Sequence, residues 1–126
     1  METKFFLCTT CGNVVVKIID SGAELSCCGS EMKELTPCET EGWGEKHLPV
    51  VDFKDCDTVL VKIGAVPHPM MKEHHIMFIY LETRHGGQLQ MLEADKPAEA
   101  LFHVCKDKPI AVYAYCNIHG LWKTKL

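Results

Sequence analysis

The sequence predicts an all-β protein with a small metal-folded lobe ahead of a larger antiparallel body, and three observations carry that reading. Runs rich in β-branched and aromatic residues recur about every ten residues from position 50 onward. Almost no stretch repeats with the helical period. Residues 1–36 hold Cys8, Cys11, Cys27 and Cys28 but few apolar side chains. Below about 40 residues a fold usually needs a metal, a disulfide or a partner chain.

The elements follow in order. Phe5-Phe6-Leu7 leads into a cysteine knuckle, residues 14–19 form an apolar β-type run, Asp20-Ser21-Gly22 turns the chain, and Cys27-Cys28-Gly29 ends the lobe. Residues 37–46 carry Pro37, Gly42, Gly44 and several charges, and read as a linker running into a loop. Residues 47–126 are then a second domain, with strands expected over 50–53, 58–63, 76–81, 88–92, 100–104 and 110–115. His85-Gly86-Gly87 and Lys106-Asp107-Lys108-Pro109 are the turn sequences between strands. Residues 93–99 hint at a helical turn that Pro97 interrupts. Strands so spaced fold as an antiparallel sandwich or a barrel.

Size and charge bound the function. A chain of 126 residues with a formal charge of −4 and no run of Lys or Arg lacks the basic face that nucleic acid requires. The N-terminal residues lack the apolar core of a signal peptide, and no stretch is long enough to span a bilayer, so a cytoplasmic location without membrane attachment is expected. In a reducing compartment eight cysteines point to metal ligation or free thiols more than to disulfides.

Two donor sets stand out. Cys8-Thr9-Thr10-Cys11 is a knuckle in which a tight turn aims two sulfurs at one ion. Its partner pair, Cys27-Cys28, has no spacer. Adjacent residues on an extended chain point opposite ways, so both reach one ion only if the backbone turns sharply, with Gly29 offering freedom. Four sulfurs in a tetrahedron serve zinc or iron, and a vicinal disulfide between Cys27 and Cys28 is a weaker alternative.

The second set is His47, His68, His74, Cys116 and His119. Pro49, Pro67 and Pro69 stiffen the backbone around two of the imidazoles, and Cys116-Asn117-Ile118-His119 repeats the knuckle spacing. Taken singly, each histidine has a bland reading as a surface or core residue. Together, four imidazoles and one thiolate exceed what an ordinary zinc site uses, and suggest a redox metal with one open position. His75 must point away from His74. His85 and His103 read as structural, and Cys38, Cys56 and Cys105 as free thiols, buried or partly so.

Cys8-X-X-Cys11 with Cys27-Cys28-Gly29, then Glu45-Lys46-His47, His68-Pro69-Met70, His74 and Cys116-Asn117-X-His119-Gly120-Leu121-Trp122, resembles the desulfoferrodoxin family of two-iron superoxide reductases over essentially the whole chain. The resemblance implies a desulforedoxin-like lobe with an Fe(Cys)4 centre from Cys8, Cys11, Cys27 and Cys28. It also implies an immunoglobulin-like β-sandwich with an Fe(His)4(Cys) centre from His47, His68, His74, His119 and axial Cys116. The reaction implied is one-electron reduction of superoxide to hydrogen peroxide. Lys46 would attract the anion and Glu45 would occupy the open position of ferric iron after product leaves. A rubredoxin-like electron donor and a homodimer are implied as well, the latter fitting an exposed Phe5 and Phe6. The competing reading is a pure electron-transfer iron protein, which would need the histidine site to be coordinatively full.

Overall fold

The computed structural model describes residues 2–40 and 46–126. The chain divides into two compact units, Met1–Thr36 and Pro37–Leu126. Among the described residues every regular element is a strand. The turn expected over 93–99 is not helical; the chain reverses there with Asp95 at φ 67°. Among the described residues no helix is long and apolar enough to cross a membrane.

In the first unit, β1 (Phe5–Leu7) lies between β2 (Val14–Val16) and β5 (Lys33–Glu34), and β3 (Ser26–Cys27) pairs with β4 (Ser30–Glu31), all antiparallel. Phe6, Cys8 and Met32 are buried together against Val15, Leu25 and Cys27. So small an apolar cluster cannot offset the conformational entropy of the lobe unaided. Two expectations change here. Phe5 and Phe6 are 1% and 9% exposed, so neither is a surface residue, and the apolar run 14–19 stops as a strand at Val16, leaving Ile18 and Ile19 at 82% and 87% exposure.

The second unit packs two antiparallel sheets face to face. One has the order β10-β7-β6, from β6 (Pro49–Phe53), β7 (Thr58–Ile63) and β10 (Glu99–His103). The other has the order β12-β11-β8-β9, from β8 (Ile76–Thr83), β9 (Gly86–Met91), β11 (Pro109–Cys116) and β12 (Gly120–Lys125). Val59, Val61 and Ile63 of β7 and Ala100 and Phe102 of β10 meet Ile79 and Leu81 of β8 and Val112, Ala114 and Cys116 of β11 in one core. Alternate residues point inward on both sheets, which selects the sandwich over the barrel.

The strand β12 was not expected. Lys123 and Thr124 hide its period, although Leu121, Trp122 and Lys123 are all buried. Cys38, expected inside a linker, bridges this strand: its N–H bonds Leu121 O at 2.9 Å and its carbonyl accepts from Lys123 N at 2.9 Å. The glycines of His85-Gly86-Gly87 are not the turn. Thr83 pairs with Gly86 and Glu82 with Gly87, so Arg84 and His85 make the reversal. A Cβ on Gly87 would collide with the Tyr80 hydroxyl, which is why glycine stands in that strand.

Ile79 is fully buried at the centre of the sandwich. Ile79→Ala is expected to lower unfolding stability by about 2–5 kcal/mol in a thermal or denaturant melt. A loss under about 0.5 kcal/mol would show that this core is not what holds the sheets together.

Candidate metal centres

In the first unit, two turns carry the four cysteines. Gly12 N donates to Cys8 O and Cys8 N to Asn13 O, both at 2.9 Å, closing the knuckle with Gly12 at φ 85°. The other pair sits on the β3–β4 hairpin, in which Cys27 pairs with Ser30 and the two-residue loop is Cys28-Gly29. Both loop residues have positive φ, 52° and 75°, the mark of a type I′ turn. The sharp turn expected at Gly29 thus includes Cys28 itself, a left-handed non-glycine residue.

The four sulfurs lie within 4.8 Å of one another. Cys11 Sγ is 3.6 Å from Cys27 Sγ, and Cys27 Sγ is 3.9 Å from Cys28 Sγ. A metal bound at about 2.3 Å by four thiolates in a tetrahedron sets its sulfurs about 3.8 Å apart, so these separations fit one ion. Electrostatics agree. The backbone N–H groups of Cys11, foremost, and Thr10 draw the Cys8 thiol down to about 6, whereas the crowding of Cys11, Cys8 and Cys27 around Cys28 pushes it up to about 12. Four thiols this close cannot all ionise without a cation among them.

The second set gathers at one end of the sandwich. His47 precedes β6, His68 follows β7, His74 precedes β8, Cys116 ends β11 and His119 lies in the β11–β12 turn. Antiparallel pairing brings these ends together, with Pro49 opposite Ile63 and Cys116 opposite both Ile76 and Gly120. A register shift between Tyr115 and Cys116 leaves Met77 as an extra residue on β8. Inward positions therefore pass from Leu81 and Ile79 to Ile76, all fully buried. Carried two residues further, the shifted phase aims His74 inward, where an unbroken strand would have aimed His75.

One donor atom from each of His47, His68, His74, Cys116 and His119 lies within 4.8 Å of all the others. Neighbouring ring centroids are 4.6 Å apart for His47 and His68, 5.0 Å for His68 and His74, 5.0 Å for His74 and His119, and 4.8 Å for His119 and His47. Four imidazoles thus form a closed square circuit with Cys116 as the fifth donor. His47 Nε2 is 3.1 Å from His119 Nδ1, about the spacing of two ligands at a right angle around a first-row metal at about 2.1 Å. His119 therefore presents Nδ1 where His47 presents Nε2. His68 Nδ1 lies 2.7 Å from Pro69 O; a carbonyl only accepts, so Nδ1 carries the proton and Nε2 keeps the lone pair. The donor set fits a nitrogen-rich redox metal.

Burial grades across the set. The Cys116 sulfur is fully buried beside Ile76, while His119 is exposed and His74 half-buried. A small solute thus reaches the imidazole rim from solvent, and the sulfur stays dry. Lys46, one residue before His47, is half-buried. Glu45 lies outside the described residues. His75 is absent from the donor set, His85 pairs with Asp107 at 3.1 Å, and His103 sits exposed on β10.

Three positioning residues escaped the sequence reading. Trp122 stacks on His47 at 4.4 Å with rings 10° from parallel, and its Nε1–H donates to His119 O at 3.1 Å. Asn117 clamps the approach to β8: its Oδ1 accepts from His75 N at 3.0 Å and its Nδ2 donates to Glu73 O at 2.9 Å. Gly64, at φ 85°, lets the Lys46 carbonyl approach so closely that a Cβ would clash with it. Asn117 and Trp122 were visible inside the Cys116-to-Trp122 run, but Gly64 carried no signal.

This arrangement has counterparts among known proteins. The desulfoferrodoxin family model matches residues 39–125, and the desulfoferrodoxin N-terminal domain model matches residues 1–35. Desulfoferrodoxin from Syntrophotalea carbinolica is 37% identical over 124 residues, 98% of this chain and 97% of that protein. The superoxide reductase of Pyrococcus abyssi is 36% identical over 100 residues, covering 66% of this chain and 87% of its own. The crystal structure of the superoxide reductase from Treponema pallidum superposes with a TM-score of 0.85 at 32% identity, over 98% of each chain.

Asn117→Ala is expected to weaken iron binding by the histidine set about 10- to 100-fold, read by competition with a chelator, because the clamp on residues 73–75 is lost. An unchanged affinity would show that the ladder alone places His74.

Proposed function

Because the chain belongs to the desulfoferrodoxin family, we propose that it is a superoxide reductase, converting one superoxide with one electron and two protons into hydrogen peroxide. The observation that carries this reading is the circuit of four imidazoles with the buried Cys116 sulfur within 4.8 Å of their donor atoms. Iron held by these five donors would supply the one-electron chemistry of the reaction. His47, His68, His74, His119 and Cys116 hold it, while Cys8, Cys11, Cys27 and Cys28 hold a second iron. A closed four-sulfur shell leaves no position for substrate, so the second centre only passes electrons.

The residues around the histidine set divide the remaining work. Cys116 is fully buried, so water does not compete for its sulfur and the sulfur's donation would be directed at the metal it holds. The hydrogen bond from His68 Nδ1 to Pro69 O fixes that ring's tautomer and orientation. Lys46 supplies a local positive charge in a protein of net charge −4 and draws the anion toward the rim. Glu45, two residues before His47 in sequence, would serve as a further carboxylate ligand to the oxidised iron. Protons come from the solvent on the exposed His119 side.

The electron donor in this reading is a rubredoxin-like protein, the compartment is the reducing cytoplasm, and the role is removal of superoxide. The chain works as a homodimer. Ile18 and Ile19, in place of Phe5 and Phe6, are the apolar surface that the first unit offers a second copy.

Two variants test the assignment. Lys46→Ala is expected to slow association with superoxide about ten-fold and to flatten its ionic-strength dependence, with iron absorption intact. An unchanged rate constant in pulse radiolysis would remove Lys46 from the mechanism. Cys116→Ser replaces a soft sulfur with a hard oxygen, so the thiolate-to-ferric charge-transfer absorption should vanish and superoxide reduction collapse. Retention of both would contradict the thiolate assignment.

A further inference from the structure

We propose that Cys56 and Cys105 form a reversible disulfide when the protein meets hydrogen peroxide. Neither thiol belongs to the metal centres, and both are exposed, contrary to the buried setting expected from the sequence. Strands β7 and β10 pair antiparallel as far as Thr58 opposite His103, and the ladder continues one step beyond, with Val104 N donating to Asp57 O at 2.7 Å. The next residues in the same register are Cys56 and Cys105.

Geometry at that step favours a bridge. Cys56 and Cys105 each lie one residue past the Asp57–Val104 bond, in bends outside both strands, and an undistorted non-hydrogen-bonded ladder step there would set their Cα atoms about 4.5 Å apart. A disulfide needs Cα atoms about 4.4–6.8 Å apart. Val59, Val61, Ala100, Phe102 and Val104 are buried on the inner face, which puts Cys56 and Cys105 together on the solvent face. Both occupy turns that can adjust. Cys56 lies in the β6–β7 turn closed by Lys54 N to Thr58 O at 2.9 Å, and the chain bends at Lys106, φ 56°, directly after Cys105.

The surroundings suit thiol oxidation. Reactive cysteines sit in electropositive, partly exposed places. Cys56 lines a hollow of about 410 Å³ together with Arg84, His85, Lys106 and Lys108. Asp55 and Asp57 flank Cys56 in sequence, Asp107 is engaged by His85 and by the N–H of Lys108, and Cys105 stands beside the lining residues Val104 and Lys106 without itself lining the hollow. Cys38 is bonded to Thr40 O and sits beside β12 in the other sheet.

The chemistry balances. The Cys56 sulfur attacks one peroxide oxygen, the O–O bond breaks, and a sulfenic acid and water result. The Cys105 sulfur then displaces water from that sulfenic acid to form the S–S bond. In sum, two thiols and one hydrogen peroxide give one disulfide and two waters, and a cellular dithiol returns the pair to the reduced state. That the protein's own turnover supplies the peroxide rests on the superoxide reductase reading. The six residues of β7 set the pair about 20 Å along the strand from the end that leads to His68.

The test adds peroxide directly to the iron-replete ferric protein, so its result is independent of superoxide reduction. After a few equivalents, free thiols are alkylated and the unreduced protein is mapped by mass spectrometry. The expected product is one cross-linked peptide joining Cys56 to Cys105, reversed by dithiothreitol, kept in Cys38→Ser, lost in Cys56→Ser, and formed without change in the thiolate-to-ferric absorption. Full alkylation of both cysteines, or a bridge from either one to Cys38 or to a second chain, would overturn the proposal.

Discussion

Five donor atoms from five strand ends must meet within 4.8 Å, and the rest of the second unit is arranged so that they do. The β8–β11 ladder is the central device. It carries Cys116 into the core beside Ile76 and sets the phase that turns His74 inward, while the neighbouring hairpins deliver His47, His68 and His119 to the same end. Gathering lone pairs in a largely dry place is unfavourable on its own. A bound cation offsets that cost, so metal affinity and fold stability in this unit are linked.

The two centres show how donor number and burial divide the labour. Four sulfurs on two turns close a tetrahedron that needs no other ligand, and the lobe around them has little else to fold on. Four imidazoles and one sulfur leave a position free, with the sulfur in the core and His119 at the surface. The same residue type, cysteine, thus supplies all four donors on the turns of one unit and a single buried donor among four imidazoles in the other. Trp122 and Asn117 support the histidine centre. One stacks on His47 and holds the His119 carbonyl, and the other ties residues 73–75 to the turn after Cys116.

Much of this was legible in the sequence because metal donors are rare residues at telling spacings. Both donor sets could be named from residue type and neighbours, and the expected strands from 50 to 115 coincide with observed ones to within about two residues. Less legible were features set by pairing partners. Strand β12 hid behind its charged residues, Gly86 and Gly87 sit in a strand because Tyr80 needs the space, and the bulge at Met77 leaves no mark in composition. Phe5 and Phe6 looked like surface residues only because the lobe's apolar content was small. The opposed placement of Cys56 and Cys105 depends on the β7–β10 register, which no local pattern encodes.

The central claim is that the histidine set reduces superoxide and does not dismute it. Reduced, iron-loaded protein mixed anaerobically with superoxide in a stopped-flow cell, with iron oxidation, peroxide and dioxygen quantified together, tests it most directly. The account predicts one peroxide for each iron oxidised at the histidine site and no dioxygen from the reacting superoxide. Dioxygen released at half the superoxide consumed, or iron inert to superoxide, would contradict it.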